Sequence, residues 1–437
     1  MSNKRRTGAT MVVALFTAIL LSACGSSNSS SASTSSSAAA PTSSSSTPTV
    51  KATGPAVDVW NIVPVGAPNQ SAPQIPAGVN AEFRYVNSHG GIGPDHQPVD
   101  VKVCNTQGSP NGEVQCAMQA AHDPKAIATL GDLIVVATAP AEAAFGKAGL
   151  ASINPFLQSP ADFVNKINFP LFAPNFTSAG CGVLAPRTAH VKKIAFASLT
   201  LPISLDEMQI AEAAAKKAGF TVTGQVSIPL TTTNVSPYVH QLAAGHPQMT
   251  VLLLDPELSG AYQAAAAQIG ASGPVCAQDG LVVYQALAGL GQAAANTYVT
   301  AFLPDPAWTG YPLLSTFRSN AAAELASGDK SASLEPGNDP LLTLEGWVAA
   351  YTVPQVASHI TGTITRAKFL KAINQATVTF GSGKGAILPP IDFATPNSIK
   401  QYARLFNTSL FLKKWEVGTK SFVRATPTTE NGDTLIP

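Results

Sequence analysis

Apolar positions along this chain recur in two alternating rhythms. Short strand-like runs, VDVWNIVPV (57–65), VDVKVC (99–104), AIATLG (126–131) and LASINP (150–155), are rich in Val, Ile, Leu and Ala. Between the first two, Ile75, Val79, Phe83 and Val86 return at spacings of four and three, which predicts one face of a helix ended by HGGIG. Residues 112–122 and 139–148 also read as helices. Strand and helix in strict alternation with short connections predict parallel strands with helical crossovers covering both faces.

A second series of the same kind starts near Phe172 and ends near Thr300. KKIAFASL (192–199), FTVTGQVSI (220–228), MTVLLLD (249–255) and GPVCAQD (273–279) are its strands. Residues 205–218 form a helix with Leu205, Met208, Ala211 and Ala215 inward and Glu212, Lys216 and Lys217 outward. NTYVTAFLP (296–304) reads as a crossing back. After it, 308–327, 341–353 and 365–376 are helical, with Trp347 and Tyr351 in the core and Trp60 buried within the first strand. The tail from Ile387 to Thr426 has more β-branched residues and a Pro-Pro pair, and reads as irregular strands that stitch the halves together.

The first 54 residues follow neither rhythm. Lys4, Arg5 and Arg6 precede an apolar run, Met11 to Leu21, which is shorter than the roughly 20 residues that cross a bilayer. That is the pattern of an export signal over residues 1–23. LSAC, ending at Cys24, resembles a bacterial lipobox, where lipid is attached to the cysteine and the chain is cut before it. Two or more acyl chains hold a protein at a membrane stably, at about 0.8 kcal/mol per buried methylene. Residues 24–54 then form a Ser-rich segment with no large apolar residue before Val50, a flexible lipidated tether by composition.

Composition narrows the remaining ~380 residues, about two domains' worth. The chain is 45% hydrophobic and 12% charged, with net charge +1, so it has apolar material for large cores and no basic field to attract nucleic acid. Cys104, Cys116, Cys181 and Cys276 remain after Cys24, an even number that predicts disulfides in an oxidising compartment. Of three possible pairings, Cys104 with Cys116 is preferred, since that bridge closes a short loop between strand and helix; Cys181 with Cys276 then follows. A metal site is not expected: no cysteine pair has CxxC spacing and the seven histidines form no HxxxH or HExxH pattern.

VNAEFRYVNSHGGIG, followed by VDVKVCNTQGSPNGEVQCAMQAA and AIATLGD, resembles type I periplasmic solute-binding proteins of the branched-chain amino acid ABC importer branch. The resemblance extends over most of residues 55–425. It implies an α/β fold of two doubly wound parallel-sheet lobes joined by a three-crossing hinge, lobe 1 being 55–171 plus 301–376 and lobe 2 with the hinge strands 172–300 plus 377–437. It further implies a lipid-anchored, monomeric substrate-binding protein on the extracytoplasmic face of the membrane, handing a small solute to ABC permease subunits. A sensor feeding a signalling receptor is the alternative, and a periplasmic enzyme a third reading.

In open parallel sheets, ligands sit beyond the carboxyl ends of the strands, near helix N-termini. The loops there supply the candidate ligand-binding residues Asn69, Gln70, Val135, Thr138, Asn154, Phe156, Asp255, Glu257 and Asp279. Thr138 is also a candidate helix cap, and Asp255 before Pro256 a turn former. The resemblance implies that Asp279 meets a ligand ammonium group. Where it implies hydroxyls for a ligand carboxylate, this chain has Val135 and Val136, which points to an amide, a polyol or a more apolar solute. GSGKG (381–385) lacks phosphate-loop spacing, and there is no GxSxG elbow. Neither catalysis nor a cofactor is therefore expected.

Overall fold

Strands β1 (Val57–Val63), β2 (Val99–Asn105), β3 (Ala126–Leu130), β4 (Ala151–Ile153) and β5 (Asn168–Phe169) form the first sheet. Its order is β2-β1-β3-β4-β5, and every pairing is parallel. The computed structural model describes residues 51–437 except 68–70, 158, 173, 283, 336–337, 427–428 and 437. Cys24, the export signal, most of the tether, Asn69 and Gln70 lie outside the described residues.

Helices α1 (Gln74–Ser88), α2 (Pro110–His122) and α3 (Thr138–Ala148) follow β1, β2 and β3. In α1, Ile75, Val79, Phe83 and Val86 are all buried, as their spacing requires. Strands β3 and β4 are buried at every residue, because helices cover both faces.

Helix α4 (Pro174–Thr188) opens the second lobe, and its helical character is not legible in the sequence pattern. Every residue from Phe176 to Pro186 is buried, so no polar face exists to give the apolar positions a period. Next come β6 (Lys193–Leu199), α5 (Pro202–Lys217), β7 (Thr221–Ile228), α6 (Ser236–Ala243), β8 (Met249–Leu253), α7 (Pro256–Gln268), β9 (Val275–Gln278), α8 (Tyr284–Leu290) and β10 (Thr297–Ala301). The chain then returns to the first lobe with α9 (Pro312–Ala326), α10 (Pro340–Ala357), α11 (Arg366–Ile373) and the antiparallel pair β11 (Thr377–Phe380) and β12 (Leu388–Asp392). Val378, Phe380, Leu388 and Ile391 are buried in the first core, beside Trp347 and Phe317. This corrects the placement of residues 377–393 with the second lobe: the hairpin's alternate apolar side chains dock on α10, not on the second sheet.

The tail is more regular than its composition suggests. Strands β13 (Ser409–Glu416) and β14 (Ser421–Arg424) extend the second sheet, whose order is β14-β13-β10-β9-β8-β6-β7; β15 (Glu430–Asn431) pairs with β13. β13 runs antiparallel to β10, with Val299 opposite Lys413. Disulfides join Cys104 to Cys116, with Cα atoms 5.7 Å apart, and Cys181 to Cys276, 5.5 Å apart. Trp60 is only half-buried and donates its indole N–H to Asp123 at 2.8 Å.

The chain passes between the lobes three times, after Phe169, after Ala301 and after Phe393. These crossings touch one another. The rings of Phe172 and Phe302, from the first two, stack with centroids 4.2 Å apart. The Asn407 amide of the third donates to the Leu171 carbonyl of the first at 2.9 Å. Arg404 lies between Phe169 and Phe406, its guanidinium carbon 4.5 and 4.6 Å from the two ring centroids.

Candidate functional site

Two helix N-termini meet at the carboxyl edge of the first sheet because glycines remove the side chains that would keep them apart. A Cβ on Gly346 of α10 would stand 2.1 Å from the Ile75 carbonyl oxygen of α1, and one on Gly78 would stand 1.9 Å from that of Thr343. This contact, beside Gly131 at the end of β3, sets Asp339, just before α10, and Glu345 within it at the sheet's carboxyl edge. Asp339 itself holds a left-handed φ of 50°, a conformation that non-glycine residues adopt at a cost.

The carboxyl edge of the second sheet carries a buried ion pair. Lys413 Nζ of β13 lies 2.6 Å from Asp279 Oδ2 just beyond β9, their side chains 1% and 7% exposed. Asp305 is buried nearby and accepts the hydroxyl proton of Tyr284 and the amide proton of Ala307. The lobes face each other here. Burial pushes the Glu345 carboxyl up to about 8, with Asp339 and Asp279 adding repulsion and Lys413 opposing it. Burial likewise pushes Asp339 up to about 6, Asp279 adding to the effect. Burial also raises Asp279, against the pull of Lys413.

On the first lobe one carboxylate organises the turn before α3. The oxygens of Glu113 accept the backbone N–H groups of Val135, Val136 and Ala137 at 2.9, 3.0 and 2.6 Å. Helix α3 begins after Ala137 with no side-chain cap of its own. Glu113, in the first turn of α2, thus supplies the negative charge that both helix N-termini favour. Thr138 is the first helical residue and not the cap, its hydroxyl directed to the Ile134 carbonyl at 3.5 Å.

Asp132, in the loop after β3, ties that loop to β1, to β4 and to the turn after β4. Its carboxylate accepts the Ile62 N–H at 3.0 Å and the Ser152 hydroxyl at 3.2 Å, and its carbonyl accepts the Phe156 N–H at 2.9 Å. Burial raises this carboxyl to about 7.

The other candidates scatter by role. Phe156 is half-buried, Val135 half-buried and Val136 60% exposed at the rim. Asn154 is buried and accepts the Leu171 N–H at 3.3 Å, steadying the first crossing. Asp255 caps α7, accepting the Glu257 and Leu258 N–H groups at 2.9 and 3.1 Å, while the Glu257 side chain is exposed. Asp279, on which the resemblance set a ligand ammonium, is paired within the chain.

Sequence reasoning did not single out Glu113, Asp305, Asp339, Glu345 or Lys413. For Lys413 a signal existed. Neighbouring strand residues point to opposite faces, so of Lys413 and Lys414 in FLKKWE one had to turn inward and find a partner.

A model of the family described as periplasmic binding protein matches residues 62–406. No curated protein matches this chain in sequence. Solved structures do match in fold. A leucine-binding protein from Thermotoga maritima MSB8 superposes with a TM-score of 0.66 at 16% identity, covering 86% of this chain and 99% of its own. A solute-binding protein of an ABC transporter from R. palustris, in complex with 4-hydroxybenzoate, scores 0.69 at 14% identity, with 86% and 97% covered. A fatty acid ABC transporter substrate-binding protein from Thermomonospora curvata scores 0.68 at 14% identity, with 89% and 97% covered.

Proposed function

We propose, from the premise that the chain belongs to the periplasmic binding protein family, that it is the substrate-binding protein of an ABC importer. In this reading lipid on Cys24 holds it at the extracytoplasmic face of the membrane, and it delivers a small organic solute to permease subunits. The observation that carries the reading is the facing of two polar sheet edges, Glu345 and Asp339 on one lobe and Asp279 and Lys413 on the other, with three crossings joining the lobes. Two rigid lobes on such a hinge are suited to closing over a guest, and the guest drives closure only by binding the closed state better than the open one. The reading includes no catalysis.

Neighbours of this fold are named for leucine, 4-hydroxybenzoate and fatty acids, so the architecture accommodates solutes of different charge and size. The test is a thermal-shift screen of the mature protein with amino acids, amides, polyols and aromatic acids, followed by solution scattering on each hit. A ligand selective for the folded state raises the melting temperature, and scattering is expected to show a more compact particle with it bound. An envelope identical with and without every compound, and no shift from any of them, would overturn the reading.

A further inference from the structure

We infer that the cleft selects against zwitterions, because the chain itself supplies a carboxylate and an ammonium at the two points best placed to receive those groups from a ligand. The solute then carries uncharged hydrogen-bonding groups, as an amide or an alcohol does, on an apolar body. This rests on the binding-protein reading above and narrows its substrate class.

The first point is the start of α3. Free N–H groups and the positive end of the helix dipole make such a terminus receptive to an anion. Here the N–H groups of Val135, Val136 and Ala137 are all taken by Glu113, whose side chain is anchored from α2 and 1% exposed. An arriving carboxylate would meet a fixed negative charge in place of open donors. The second point is Asp279. Its partner Lys413 is 1% exposed, 2.6 Å away, and sits 5.9 Å from the Trp308 ring centroid. A ligand ammonium would have to compete with a cation that is already in place and 1% exposed.

What the rims leave open has a different character. Val136 and Leu201 are 60% and 40% exposed, one on each lobe beyond a strand end. Glu345 has no hydrogen-bond or ion-pair partner among the described residues, and in the protonated form that its surroundings favour it both donates and accepts. An apolar body flanked by neutral donors and acceptors meets these groups without leaving a charge buried and unpaired.

The test compares wild-type mature protein with Glu113→Ala in two thermal-shift series. The first uses each free amino acid beside its N-acetyl amide, which has the same side chain and no charge on the backbone. The second uses formate, with chloride at matched ionic strength as control. The expected result is no shift of the wild type by any free amino acid, and a formate-dependent, chloride-independent rise for Glu113→Ala that the wild type lacks. Stabilisation of the wild type by any free amino acid overturns the inference, as does indifference of Glu113→Ala to formate. Should Glu113→Ala not fold, amide exchange decides: the N–H groups of 135–137 are expected to exchange about tenfold faster in Glu113→Gln than in the wild type, and equal rates overturn the claim. Silence of every organic compound against the wild type, with formate rescue intact, counts against the importer reading and overturns the solute class drawn from it, while the capping of the α3 terminus by Glu113 stands.

Discussion

Lys413 and Asp279 form an ion pair at 2.6 Å between two side chains almost wholly withdrawn from water. One comes from an antiparallel strand near the end of the chain and the other from beyond the end of a parallel strand, 134 residues earlier. The pair locks β13 to the sheet at the edge where the lobes meet. Its energetics are asymmetric: forming it gains little over an apolar pair of the same shape, while removing one partner strands a buried charge.

Lys413→Met is therefore expected to lower stability by about 3–5 kcal/mol in urea titrations. Adding Asp279→Asn should restore part of that loss, since no charge is then left unpaired. A Lys413→Met protein within about 1 kcal/mol of wild type would show that the pair is solvated in solution.

Stability should fall as pH rises from 5 to 8. Burial raises Glu82, Asp132 and Glu207 to about 7 from ordinary values of 4.5, 3.8 and 4.5. The folded state then holds protons that the unfolded state releases above its lower carboxyl range, so the free energy of unfolding falls through this window. Melting temperatures across the range check the sign. Glu82→Gln, which mimics the protonated form beside the Asn320 amide at 2.9 Å, is expected to raise the value at pH 8 and leave it unchanged at pH 5.

Two glycine-to-alanine changes should act in opposite directions. Gly346→Ala sets a methyl group 2.1 Å from the Ile75 carbonyl, so α10 and α1 must separate, at about 1–3 kcal/mol or more. Gly146 of α3 has nothing within 4 Å of the added carbon, and Gly146→Ala should stabilise by about 0.5–1 kcal/mol through helix propensity. Chemical denaturation of both variants settles the comparison, and equal effects would contradict the packing described.

Cys24→Ser is expected to release the protein from the membrane fraction or to leave an uncleaved precursor, as seen by fractionation and intact mass. Unchanged membrane retention with a cleaved N-terminus would remove lipid on Cys24 from the proposal.

Much of the architecture was legible in local pattern because parallel α/β folds write their layers into the chain. A strand covered on both faces is apolar along its length, as β3 is, and a helix covered on one face repeats as α1 does. The helix cue fails where burial is complete, as in α4, which lost its period, and neither cue says which core a hairpin such as β11–β12 joins. Disulfide partners were legible because Cys104 and Cys116 flank one short loop.

Local pattern thus established the alternating elements, their two successive series and the loops at strand ends. It could not say which charges those loops would leave free. Glu113 reaches its three amides across some two dozen residues, and Lys413 reaches Asp279 across 134. Electrostatic pairing depends on distance in space and on exclusion of water, and both exist only after the sheets have twisted and the helices have packed. For that reason the charge balance at the strand ends is a property of the assembled fold.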